Sequence, residues 1–128
     1  MLKITYSESD LLVEQVALTV EILVAQRSVV ALRAGQPLVM QPGYGSFTLP
    51  ADLPGVEVLT YTSHYRGMLE VVPCDAHCLE VTLRGTWFSN SLTSEEGILV
   101  TELGHTLERQ LVTLWQLSMS RMVEQFRV

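Results

Sequence analysis

Charge is what this chain has least of. Asp, Glu, Lys and Arg supply 17% of its 128 residues, and Lys3 is the sole lysine, whereas about 25% of an ordinary soluble domain is charged. Apolar residues reach 48%, and the mean hydropathy is +0.27. A small domain has more surface per unit volume than a large one and needs more polar coating, so the shortage points to apolar surface hidden by a partner. A second copy of the chain is the first candidate. Basic residues are fewer still. The net charge of -6 repels phosphate backbones and anionic membranes. Arg27, Arg33, Arg66, Arg84, Arg109, Arg121 and Arg127 form no run, so neither nucleic acid nor membrane is expected as a partner. The first ten residues lack the apolar stretch of a signal peptide. The apolar segment 11–34 is broken by Glu14, Glu21 and Arg27 too often for a bilayer span. With two cysteines there is no disulfide scaffold. These absences lead to the expectation of one cytoplasmic domain with reduced thiols.

What is present divides into three parts and predicts an α+β domain. From Ser9 to Ala34 the pattern predicts a long N-terminal helix, N-capped by Ser7 or Ser9 and stopped by Arg33, Gly35 and Pro37. Two thin polar lines, one through Glu14 and Glu21 and one through Gln15 and Arg33, separate two apolar faces. The smaller face carries Leu11, Leu18, Ile22 and Val29. A helix with two apolar faces has two things to pack against. Alternation of Val16, Leu18, Val20, Ile22 and Val24 also suits a strand pair, although the turn it needs near 25–28 has no Gly, Pro, Asn or Asp.

Residues 38–88 predict an antiparallel sheet of about five strands, at 38–41, 46–49, 56–62, 68–72 and 78–83, the last running on toward Phe88. Between them lie turn-forming stretches, among them Gln41-Pro-Gly-Tyr-Gly45. Leu79, Val81 and Leu83 alternate with Glu80, Thr82 and Arg84, so one sheet face is wet and the other needs a cover. From Thr93 to Glu124 an apolar stripe through Leu99, Leu103, Leu107, Leu111 and Leu114 predicts a long C-terminal helix packed on one sheet face. Thr93-Ser-Glu-Glu96 reads as its capping box. The alternative is a short strand at 98–102 with the helix starting near His105.

Few residues carry chemistry. Cys74, His77 and Cys78 are zinc-donor types within five residues, but the spacing matches no finger pattern and a structural site needs about four ligands. A metal-binding module there is therefore a minor alternative, and no cofactor is expected. The glycine-rich stretch 41–46 lacks the Gly-Lys-Ser/Thr ending of a phosphate loop and reads as a hairpin turn. Another alternative is a small-molecule binder or enzyme with a pocket between sheet and helices, using Tyr61, His64, Tyr65 or Trp87. Trp115 and Met119 flank the apolar stripe of the last helix, and Trp is enriched at interfaces. The leading expectation is a non-enzymatic protein-binding module acting as a homodimer. Its interface would use Leu11, Leu18, Ile22, Val29, Trp115 and Met119.

Overall fold

The computed structural model describes residues 1–8, 10–61, 67–90 and 95–125. Among them the chain runs β1 (Leu2–Ser7), β2 (Asp10–Gln15), α1 (Val20–Arg33), β3 (Val39–Pro50), α2 (Glu57–Tyr61), β4 (Leu69–Pro73), β5 (Cys78–Ser89), β6 (Gly97–Thr101) and α3 (His105–Gln125). The sheet order is β2-β1-β6-β5-β3, with every pairing antiparallel. β4 and β6 share one edge of β5 end to end, β4 facing Leu79–Leu83 and β6 facing Thr86–Phe88.

The α+β class with an antiparallel sheet and a long C-terminal helix stands as the sequence suggests, but the long N-terminal helix does not. In its place β1 and β2 form an antiparallel pair in which Leu2 and Ile4 of β1 face Gln15 and Val13 of β2. A period of two governs there: Leu2, Ile4 and Val13 are buried on one face. The helix is confined to Val20–Arg33. Thr19 caps it by accepting the Ile22 amide at 3.3 Å. It stops one residue before Gly35, whose φ of +68° suits glycine.

Two further expectations are corrected. Segments 38–41 and 46–49 belong to one twelve-residue strand, with no turn between them. Gly43 and Gly45 sit in that strand because the Trp87 side chain packs on the first and the Tyr6 ring on the second, and a Cβ would collide with each. Segment 56–62 holds the five-residue α2 in place of a strand. The helices do not share a face. α3 lies over Leu2, Ile4, Leu83 and Leu99. α1 lies over Phe88, Ile98 and Val100 on the opposite face, through Leu23. Thr93 and Ser94 of the expected capping box lie outside the described residues. The alternative for that region holds, since β6 precedes a helix that begins at His105.

The sheet is strongly curled. Tyr6 of β1 lies against Gly45 of β3 with β6 and β5 between them. In a flat sheet three strand spacings amount to about 14 Å, farther than a tyrosine side chain reaches. Curling brings the β2 and β3 edges toward each other, and α3 fills the gap. Its Leu107, Leu111 and Leu114, with Leu103 just before it, complete the main core with Val13, Phe47, Leu49 and Val81. No helix among the described residues is long and apolar enough to cross a membrane.

Candidate functional site

Among the described residues, two of the open apolar surfaces are built on the helices α1 and α3. The first is the outer face of α1. Val20, Leu23, Val24, Arg27 and Ala31 recur at helical spacing and face the sheet. On the other side Ile22, Ala25, Val29 and Leu32 form an exposed stripe at steps of three, four and three. Leu32 is 79% accessible, Val30 beside the stripe 58%, and Ile22 and Val29 46% each. Glu21 occupies the first turn and Arg33 the last.

The second is a groove of about 550 Å³ between α3 and β3. Trp115, Ser118, Met119 and Met122 form its helical wall, Leu11 lies at one side, and His77 and Cys78 at one end. Its other wall is five consecutive residues, Ser46 to Pro50. Side chains alternate between faces along a strand, so a wall made by both parities is the backbone edge of β3. Among the described residues β3 pairs with β5 alone.

The hydrogen-bond register fixes which atoms that edge presents. The Arg84 amide donates to the Met68 carbonyl at 2.9 Å, so even-numbered residues of β5 turn their polar atoms toward β4. The Ala51 amide donates to the His77 carbonyl at 2.9 Å, so odd-numbered residues turn toward β3. Phe47 and Leu49, opposite Val81 and Leu79, therefore make the ladder bonds. The amide and carbonyl groups of Ser46 and Thr48 point outward, where the Tyr6 hydroxyl meets the Ser46 backbone and leaves Thr48 as the open pair. Pro42 and Pro50 also fall at outward positions, where a missing N–H costs no ladder bond. Arg121 of α3 donates to Asp52 at 2.6 Å beyond Pro50 and ties the helix to the residues that follow β3. The hydrogen bond and charge of Arg121 hold the Asp52 carboxyl below its ordinary range.

Of the expected interface residues, Leu11, Trp115 and Met119 come together in the groove, and Ile22 and Val29 lie on the α1 stripe. Leu18, half-buried, falls in the link between β2 and α1, so the expected face of Leu11, Leu18, Ile22 and Val29 does not exist as one helical face. Cys74 and Cys78 are joined in a disulfide across the β4–β5 turn, with their Cα atoms 5.5 Å apart. The expectation of reduced thiols is thus overturned, since the hairpin register brings both sulfurs together. Neither sulfur is then a thiolate donor beside His77, and no group of three His, Cys, Asp or Glu side chains placed to hold a metal occurs among the described residues. His64 and Tyr65 lie outside the described residues, as does the side chain of Tyr61. Trp87 packs against Tyr6, with ring centroids 5.5 Å apart.

Sequence reasoning missed Glu108. Its side chain is buried at the start of α3, 2% accessible. Oε1 lies 2.8 Å from the Met1 amino group, Oε2 accepts the Leu103 amide at 2.9 Å, and Gln15 Nε2 donates to Oε1 at 3.4 Å. The same Nε2 donates to the His105 carbonyl at 3.0 Å and lies 3.1 Å from His105 Nδ1. Burial pushes the carboxyl pKa up, but the amino group, the Leu103 amide and Gln15 together hold it below its ordinary 4.5. A carboxylate engaged by three donors ties β2, α3 and the first residue together and is not poised to take a proton from a substrate. The signal was available: Glu108 stands between Leu107 and Leu111, inside the apolar stripe. A further cleft, polar and about 220 Å³, lies between α1 and the sheet near Arg27, Ser89, Asn90 and Glu96.

An α+β scaffold with these apolar surfaces open among its described residues is thus the frame into which the sequence comparisons fall. The chain belongs to the Alr0857-like family, whose model matches residues 1–119. No curated protein and no solved structure matches it.

Proposed function

We propose that this chain is a non-enzymatic protein-binding module that acts as a homodimer, joined through the outer stripe of α1. The observation that carries this reading is the exposure of Ile22, Val29, Val30 and Leu32 on a helix that buries only Leu23 and Ala31 among its fourteen residues. Steps of three and four along Ile22, Ala25, Val29 and Leu32 are those of a helix-pairing seam. An antiparallel pair centred near Arg27 sets Ile22 opposite the partner copy's Leu32 and Ala25 opposite its Val29. It also brings the acidic first turn, with Glu21, beside the basic last turn of the other copy, with Arg33, an arrangement that the helix dipoles favour as well. A small-molecule reading ranks second. The cleft beside Arg27, at about 220 Å³, falls below the range of about 300–1,000 Å³ typical of ligand pockets.

Sedimentation equilibrium at micromolar concentration tests the dimer. The expected mass is twice the 14.3 kDa of one chain, falling to one chain in Val29→Glu with Leu32→Glu. A wild-type monomer at these concentrations contradicts the homodimer.

A further inference from the structure

We infer that the groove between β3 and α3 is a peptide site, which takes an extended segment of another protein as an added strand beside Ser46–Pro50. The inference gives the protein-binding half of the proposed function a location. It does not depend on the dimer, which uses the opposite side of the sheet.

The free edge supplies the first argument. Thr48 turns its amide and carbonyl away from β5, and no other described group is hydrogen-bonded to them. Pairing an incoming backbone with such an edge gives affinity, while pockets for alternate side chains give specificity. The helix wall supplies those pockets. Trp115, Met119 and Met122 face the edge across the groove, and methionine adapts to side chains of varied shape. Trp115 also carries an indole N–H with no acceptor among the described residues.

Size identifies the occupant. One strand residue takes about 3.4 Å of length, 4.8 Å of width and 10 Å of depth, or about 160 Å³. The groove of about 550 Å³ therefore accepts three to four residues of a single strand. A standard stable interface buries about 1,200–2,000 Å², well beyond what so short a strand provides, so a short peptide segment suits the groove and a second copy of the domain does not. The apolar wall calls for apolar side chains at alternate positions of the ligand.

The test uses the full chain and a phage-displayed library of linear random nonapeptides. Panning is expected to enrich sequences with apolar residues at every second position. A synthetic enriched peptide should bind wild type measurably by calorimetry. The same peptide N-methylated at alternate amides, on the set facing β3, should bind about fivefold to tenfold more weakly, as should Thr48→Pro. Trp115→Ala should weaken it about tenfold or more. N-methylation leaves the protein untouched, so that arm holds even if a variant folds poorly. Enrichment of no peptide, or equal binding of both N-methylated sets and the parent, overturns the inference. Loss of a wild-type dimer in Thr48→Pro overturns it too, because the edge then belongs to a second copy. A monomeric wild type that still binds the peptide removes the proposed dimer and keeps the groove.

Discussion

The two long helices, α1 and α3, behave in opposite ways. α3 places Leu107, Leu111 and Leu114 in the core, fills the gap left by a curled sheet, and tethers both its ends, through Glu108 at one and Arg121 at the other. α1 rests on Phe88, Ile98 and Val100 through Leu23 and leaves its other apolar stripe in solvent. Apolar side chains thus have a structural use in α3 and an unspent one in α1. Burial of an apolar side chain is worth about 1.5–3 kcal/mol, so the stripe on α1 is a sizeable free-energy reserve for association.

Substitutions should separate the helices by the size of their effect. Leu111→Ala removes a side chain with no exposed surface and should lower folding stability by about 3–5 kcal/mol in urea titration. Leu32→Ala should change it by no more than about 0.5 kcal/mol under dissociating conditions. Comparable losses at both sites would break the contrast. Glu108→Gln comes next, at about 3 kcal/mol, because it leaves the Met1 amino group buried without its counter-charge. The pH dependence has a definite sign. A carboxyl held below its ordinary value in the folded state stabilises fully above about 4.5, and that contribution is lost as pH falls from there through the folded value. Wild type should therefore lose stability over that window, and Glu108→Gln should lose less. Cys78→Ser opens a five-residue loop and should cost about 2 kcal/mol or less, measured by thermal denaturation with and without reductant. An unchanged midpoint would assign the disulfide no part in stability. Smallest of all on folding should be Val29→Glu, about 0.5 kcal/mol or less, with its effect confined to oligomeric mass.

How much of this was legible in the residues follows the strength of each pattern. The alternation of Leu79, Val81 and Leu83 appears in the sheet as expected, and the leucine stripe of α3 lies buried. The first fifteen residues misled because Leu11, Leu12, Val13 and Val16 satisfy a helical period as well as a strand period, and short apolar runs do not separate the two. Gly43 and Gly45 looked like a turn. Their use is steric, set by Tyr6 and Trp87, which come from strands far away in sequence. The groove was half legible. Trp115, Met119 and Leu11 stood out as surface candidates, but the β3 edge that makes them a groove depends on pairing order and sheet curl, which no local window contains. The disulfide likewise required the hairpin register that places Cys74 across from Cys78.

The contrast between the helices is tested most directly by amide hydrogen exchange followed across protein concentration. Residues of α1 from Val20 to Arg33 should become more protected as concentration rises through the dimer range, while α3 from Leu107 to Ser118 stays equally protected throughout. Protection of α1 that is independent of concentration would contradict the account.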